Sequence, residues 1–413
     1  MRRNHVFLSL GLVVLALTIA ISSCKKDDPD LTLATLVAGT IDLNAAASPS
    51  DVPVNPAIVA TFSTDIDPAT AIAANITLTQ DYDGTEIPLN ITASGKTITI
   101  KPEADLSTGA IYILKFKAGL KSTADKYLTA FERNFTTIGT FAPAGVKAHW
   151  KFENDGKDET GVFNSSAAID INYVDSRNAN AGKAAAFNGT TSIIEVPNGD
   201  QLVNTQKFTI SFWVKAEDSG KGHFVLGLGA FYGIQFEMYG GFDGAKFAIQ
   251  YELEDGTTVA EDMWFPSKAE YNGNGGWQGW DFAKSIEPDD MIAMLKNKWL
   301  HITYTFDGES RRGILYYNGE KMKSFDFNLW PDGDAKRTVK GMKYGGVAPD
   351  VVNELAFGFI QSRQGTMWAN EPWGGYIFSE ANHFKGQLDD VRIYHKVLTP
   401  DEIDLMYRSE EKP

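Results

Sequence analysis

Two stretches of the chain combine large aromatic rings with glycine, amides and charged groups: Tyr271-Asn272-Gly273-Asn274-Gly275-Gly276-Trp277-Gln278-Gly279-Trp280-Asp281, and Arg363-Gln364-Gly365-Thr366-Met367-Trp368-Ala369-Asn370-Glu371-Pro372-Trp373-Gly374-Gly375-Tyr376. Flat apolar rings stack on the C–H faces of sugars, and neighbouring amides, carboxylates or guanidinium groups bond sugar hydroxyls. A glycine-rich segment gains little from large rings unless they pack or bind. For each tryptophan the competing reading is a ring that clamps a long loop to the body of the fold. Trp277, Trp280, Trp368, Trp373, Tyr376 and Arg363 are the candidate ligand-binding residues.

Catalytic patterns are thin. A retaining glycosidase needs two carboxylates about 5 Å apart, and Glu252 and Glu254 share a strand face in Tyr251-Glu252-Leu253-Glu254-Asp255-Gly256. Asp255-Gly256 begins a hairpin there at once, so a solvated strand face is the reading of that pair. The chain has no His-Glu-x-x-His and no Gly-x-Ser-x-Gly, and its six histidines are scattered. Calcium is the metal that the abundant oxygen ligands would suit. Asp389 falls in phase with Val391 and Ile393 on the core side of its strand, where a buried carboxylate needs a partner. That partner is a cation, backbone N–H groups, or a Lys or Arg from the opposing N-terminal strand; Glu153 and Asp158 are the candidates for sharing a calcium ion with Asp389.

The 413 residues suffice for two or three domains, and a net charge of −15 makes nucleic acid a poor partner. Arg2 and Arg3 precede an apolar run from Val6 to Ile21, shorter than the ~20 residues of a spanning helix, which reads as a signal peptide over 1–23. Cys24, the single cysteine, follows Ile21-Ser22-Ser23, so no intramolecular disulfide forms. This junction resembles the lipobox of bacterial lipoproteins, which implies diacylglycerol on Cys24 and a stable membrane anchor once more than one chain is attached. Lys25-Lys26-Asp27-Asp28 resembles the export signal of Bacteroidota lipoproteins, implying display at the cell surface on the outer membrane. The polar segment 24–33 reads as a tether.

Short β-rich runs follow at Ile58–Phe62, Ile76–Thr79, Thr97–Ile100, Ile111–Phe116 and Phe131–Phe135, separated by turn signals such as Asp83-Gly84 and Ser94-Gly95. They predict a small β-sandwich over 34–140. Asn90 to Thr97 reads as a hairpin rather than a phosphate loop. Asp51-Val52-Pro53, Thr61-Phe62-Ser63, Asp67-Pro68-Ala69-Thr70, Leu106 to Tyr112 and Phe135-Thr136-Thr137 resemble the bacterial Ig-like domain of the S-layer type, whose usual role is that of a spacer or assembly module.

After a linker at Gly139–Gly145 the composition changes, and all nine tryptophans lie from Trp150 onward. Phe208, Ile210, Phe212 and Val214 form one face of a strand and Thr209, Ser211, Trp213 and Lys215 the other. Leu300, Ile302, Tyr304 and Phe306 repeat the pattern opposite Trp299, His301, Thr303 and Thr305. Thr399, Pro400 and Glu402 are the N-cap, first residue and capping-box partner of a C-terminal helix. Trp150-Lys151-Phe152-Glu153, Gly182 to Gly189, Phe208 to Lys215, Trp299 to Gly308, Leu315 to Glu320 and Gly386 to Glu402 together resemble the LamG-like, concanavalin A-like jelly-roll family over 146–410. The resemblance implies two packed antiparallel sheets with carbohydrate or protein ligands on one sheet or its rim loops, sometimes with calcium, and no single activity.

The fold class expected is therefore all-β: an N-terminal Ig-like β-sandwich followed by a larger concanavalin A-like (LamG) jelly roll with a short C-terminal helix. The function expected is non-catalytic binding of extracellular glycan or polysaccharide by a surface lipoprotein. A protein-binding adhesin or accessory subunit of an outer-membrane complex, and a glycoside hydrolase, stay open as alternatives.

Overall fold

The computed structural model of the chain describes residues 28–266 and 280–411, with Trp280 described by its backbone alone. The signal segment 1–23, Cys24, Trp277 and the Trp280 side chain lie outside the described residues.

The N-terminal unit is two antiparallel sheets packed face to face. One runs Ile41–Asp42, Leu33–Ala38, Ile58–Phe62, Thr97–Pro102, Leu89–Ser94; the other runs Glu86–Ile87, Ile76–Gln80, Ile111–Phe116, Phe131–Thr136. Period-2 alternation turns Ile58, Ala60 and Phe62, Ile98 and Ile100, and Tyr112, Leu114 and Phe116 into the shared core. The hairpin expected at Asn90–Thr97 is present, with Gly95 at φ 55° in its turn.

The larger unit is also a two-sheet sandwich. Its first sheet runs Asn172–Asp175, Lys183–Asn188, Lys385–Tyr394, Lys207–Ala216, Leu300–Asp307, Arg312–Tyr317, Glu320–Asp326, Trp280–Ala283, with Val146–Trp150 also paired to Lys385–Tyr394. The second runs Ala167–Ile169, Ile193–Val196, Leu355–Phe357, His223–Gly227, Ile234–Met238, Ala245–Leu253, Thr258–Phe265, with Val339–Met342 against Ala245–Leu253. Phe208, Ile210, Phe212 and Val214 from one sheet meet Phe236, Phe247 and Tyr251 from the other in the core between them.

Two expectations for the first sheet change. Leu388, Val391 and Ile393 all enter the core, so the alternation breaks between Leu388 and Val391. Asp390 takes φ 48°, and the pairing with Lys207–Ala216 slips between Ser211 and Trp213. This β-bulge turns Asp389 and Asp390 together to the outer face, away from the core that period-2 counting assigned to Asp389. That outer face is not solvated: Trp213, Ser211, His301 and Thr303 are buried beneath the helix Pro400–Glu411 and the turn after Asn172–Asp175. The helix starts as its sequence indicates, with Thr399 N–H donating to Glu402 Oε2 (2.9 Å) and Glu402 N–H to Thr399 Oγ1 (3.1 Å).

Candidate glycan-binding face

The second tryptophan-bearing stretch folds back onto the outer face of the second sheet. Phe359, Ile360 and Ala381 bury against Ile193, Phe224 and Ala356. Gly227 lets the loop lie directly on its strand, since a Cβ there would stand 2.0 Å from the Ile360 carbonyl oxygen. Three polar clamps complete the attachment. The Lys221 ammonium donates to the carbonyls of Ser379 (2.7 Å), Ala381 (2.8 Å) and Gly189 (3.3 Å). Arg363 forks onto Glu195, Nη2 to Oε2 at 2.7 Å and Nε to Oε1 at 3.2 Å. The Tyr376 hydroxyl donates to the Thr191 carbonyl, and His383 Nε2 donates to the Tyr376 carbonyl at 2.9 Å. Burial pushes His383 down to about 4, so it is a neutral ring with one N–H. Burial alone would raise the Glu195 carboxyl; the Arg363 fork instead holds it below the usual range.

Arg363 and Tyr376 thus use polar atoms to hold the loop. The rings they hold are presented outward. Trp373 is 41% exposed, Trp368 is half-buried beside it with centroids 5.9 Å apart, and Phe231, 39% exposed, lies 6.3 Å from Trp368. Trp368 sits at φ 61°, a left-handed conformation that costs a bulky residue of order 1–3 kcal/mol.

Next to this wall the sheet's outer face is polar. Ile234, Phe236 and Met238 point to the core, as do Ala245, Phe247, Ile249, Met263 and Phe265. The alternate residues Gln235, Glu237, Lys246, Ala248, Asp262 and Trp264 therefore share the outer side. Strand register lines them up: Phe224 opposes Glu237, Glu237 opposes Lys246, and Lys246 opposes Trp264. The neighbouring row is Gln235, Ala248, Asp262. Trp373 stands over Phe224 at 6.3 Å, and Trp264 is 40% exposed at the far end. Three inter-strand steps, roughly 14 Å, separate the two ends of the row. Between them Lys246 Nζ meets Asp262 Oδ2 at 3.0 Å and Glu237 Oε1 at 3.9 Å. Trp264 Nε1 donates to Asp262 Oδ2 at 3.2 Å, and Gln235 Nε2 donates to Glu237. Burial raises the Glu237 carboxyl, against the opposing pull of Lys246.

Gln235, Glu237, Lys246 and Asp262 were not candidates from the sequence. Their signal, polar residues alternating with apolar ones, is what any half-solvated strand shows. Glu252 and Glu254 do not form an acid pair: Glu252 bonds Lys343 at 3.0 Å and Glu254 bonds Arg311 at 2.5 Å. His301 is buried against Ser211 (2.7 Å) and pushed down to about 3 by burial, far from any open surface.

The carboxylates expected to share calcium do not fit that role. Asp158 accepts from the backbone N–H of His149, Thr160, Val162 and Phe163 and from the Thr160 hydroxyl. Glu153 accepts from Lys183 N–H at 3.0 Å. Asp389 takes Arg177 Nη1 at 2.6 Å and the Ser176 hydroxyl, so its partner is an arginine, but one from the turn after Asn172–Asp175 and not from the N-terminal strand. Among the described residues no group of three or more His, Cys, Asp or Glu could hold a metal ion.

Comparisons with known proteins agree on both units. Residues 40–137 match the bacterial Ig-like domain, and residues 188–350 match the concanavalin A-like lectin/glucanases superfamily. No curated protein matches the chain. Similar solved structures include the binding domain of Paraclostridial Mosquitocidal Protein 1, at 18% identity over 64% of this chain and 52% of that one, with a TM-score of 0.41. Domain 4 of AbnA, a GH43 extracellular arabinanase from Geobacillus stearothermophilus in complex with arabinotriose, is 22% identical over 64% of this chain and 98% of its own, at 0.36. The ligand binding domain of botulinum neurotoxin serotype D in complex with N-acetylneuraminic acid is 14% identical over 64% and 50%, at 0.38. The matched part of this chain thus spans about half the length of the first and third. The chain thus carries a match to the bacterial Ig-like domain followed by a match to the concanavalin A-like lectin/glucanases superfamily, on an all-β fold of two sandwich units.

Proposed function

We propose that this chain is a non-catalytic, glycan-binding lipoprotein of the outer-membrane surface, anchored through Cys24, whose binding site is the outer face of the second sheet. The observation that carries the reading is the polar row Glu237-Lys246 flanked by the exposed rings of Trp373 and Trp264. Two stacking rings with hydrogen-bonding groups between them are what a short run of sugar rings requires. The basic, apolar and Ile-Ser-Ser-Cys sequence before residue 25 supports the anchor.

A glycan array read with the purified chain and with Trp264→Ala and Trp373→Ala tests the site. Binding by the parent, lost by about tenfold or more in each variant while thermal unfolding is unchanged, is expected. Binding that survives both substitutions would place the site elsewhere. Metabolic labelling with a palmitate analogue, lost in Cys24→Ala, tests the anchor.

One observation favours hydrolysis as a second reading. Glu237 Oε1 and Asp262 Oδ2 both contact the Lys246 ammonium and so lie no more than about 7 Å apart, within the range of paired glycosidase carboxylates. The ammonium, however, fills the space between them that a glycosidic oxygen would need. Release of reducing ends from any bound glycan, abolished by Glu237→Gln, would establish the hydrolase.

A further inference from the structure

We infer that the strip between Trp264 and Trp373 takes a neutral or amine-bearing glycan segment of about three pyranose units and rejects uronate- and sulfate-bearing glycans. The inference rests on the glycan-binding reading of this face and adds the substrate class.

Length follows from register. The two exposed rings bracket a row that crosses four strands, Phe224, Glu237, Lys246 and Trp264. Its roughly 14 Å matches about three linked pyranose rings, with the outer two placed to stack.

Charge class follows from the inventory of ionised groups on the face. Among the described residues the strip carries Glu237 and Asp262 against a single Lys246, whose ammonium already contacts both carboxylates. The two cations on the adjoining loop attachment are also engaged. Arg363 holds both oxygens of Glu195, and Lys221 is bound by three backbone carbonyls. Among the described residues of the strip and the adjoining loop attachment, an incoming carboxylate or sulfate would meet two carboxylates and no cation without a partner already, and like-charge contact is how binding sites turn ligands away. The burial that raises Glu237 already opposes negative charge at this spot. At longer range the net charge of −15 repels a polyanion before contact. Hydroxyl groups face the opposite situation: Glu237 and Asp262 are strong acceptors and the Gln235 amide lies beside them. A protonated amine adds a charge-assisted bond to the same carboxylates.

The test is an array of neutral, amine-bearing, uronate and sulfated oligosaccharides, read with the purified full chain at low and high salt, followed by calorimetry on the members bound. Neutral or amine-bearing members are expected to bind, and their uronate or sulfated counterparts to bind more weakly by about tenfold or more. The variant Asp262→Asn, at a half-exposed position, is expected to narrow that gap, and Glu237→Gln with Asp262→Asn to narrow it further. Equal, Trp264-dependent binding of uronate and neutral counterparts would overturn the charge inference while leaving the glycan-binding reading intact. Binding to no glycan by a chain that unfolds cooperatively would overturn both. If the double variant fails to fold, the single variant and the salt series decide the matter, since a discrimination that high salt leaves unchanged is not electrostatic.

Discussion

Between the helix Pro400–Glu411 and the first sheet, three carboxylates face two guanidinium groups. Arg177 bonds Asp389 (2.6 Å) and Asp390 (2.7 Å), while Arg392 bonds Asp390 (2.9 Å) and pairs ionically with Glu410 (2.6 Å) without hydrogen-bond alignment. Trp213 Nε1 donates to Glu410 at 2.7 Å, and His149, kept neutral by burial, donates Nε2–H to Asp390 at 2.8 Å. Neutrality of this buried set requires one retained proton. Burial, then the charge of Asp390, pushes Asp389 well above the ordinary carboxylate range; burial also raises Glu410, against the pull of Arg392 and Arg177, and Asp389, the more strongly raised, is the group that favours the proton. Asp390 is driven the other way: burial would raise it, but Arg392, His149 and Arg177 hold it far below that range. The signs are therefore opposite. Asp389 stabilises the fold at low pH, and that contribution is lost as pH rises through its raised value; Asp390 stabilises above its unfolded value and loses that only in strong acid. Asp389→Asn is expected to flatten the decline of Tm as pH rises above the ordinary carboxylate range, and an unchanged slope would refute the assignment. Arg177→Met leaves two buried carboxylates short of a partner and is expected to cost about 3–5 kcal/mol in urea unfolding.

Elements differ in how far sequence reveals them. The capping box at Thr399 and Glu402, the alternation of Phe208 to Val214 and of Leu300 to Phe306, and the hairpin at Gly95 depend on neighbours along the chain, and all are present. The Asp389 bulge is set by pairing with Ser211 and Trp213 far back in sequence, so counting within one strand misassigned it. The polar row on the second sheet is assembled from Ile234–Met238, Ala245–Leu253 and Thr258–Phe265, and only their register brings Glu237, Lys246 and Trp264 together. Trp368 and Trp373 were legible as candidates from their glycine-rich setting; that Lys221 and Arg363 pin their loop was not. Lys221→Met removes three donated bonds from that loop. It is expected to speed amide hydrogen exchange over residues 374–382 and to weaken glycan binding, with little change where Glu237 and Lys246 lie. The Asp158, Glu153 and Asp389 carboxylates are engaged by protein donors, so chelation with EDTA is expected to leave Tm unchanged; a fall in Tm would reveal a bound metal.

At the scale of the whole molecule, the Ig-like unit is more than a spacer strung ahead of the jelly roll. Leu398, Ile403, Leu405 and Met406 of the C-terminal segment, with Tyr316 and Tyr394 of the jelly roll, belong to the same continuous apolar cluster as the Ig-like core. Phe141, at the junction between the units, lies in that cluster and donates its N–H to Ser409 Oγ at 2.8 Å. The opposite side of the helix closes the ionic set through Glu410, whose carbonyl also accepts from Arg177 Nε and Asn178 Nδ2. One helix of twelve residues therefore packs on both units at once, and loss of its packing is felt by both. Met406 is fully buried; shortening it to Ala is expected to cost about 2–5 kcal/mol, the usual range for a buried aliphatic truncation. The consequence that separates a linked pair from beads on a string is cooperativity. Calorimetry on the parent chain is expected to give one transition, with van't Hoff and calorimetric enthalpies agreeing, and Met406→Ala to move it as a whole to lower temperature. Two transitions in the parent chain, with only one displaced by the substitution, would mean that the helix belongs to the jelly roll alone and that the Ig-like unit folds and moves independently of the proposed glycan-binding face.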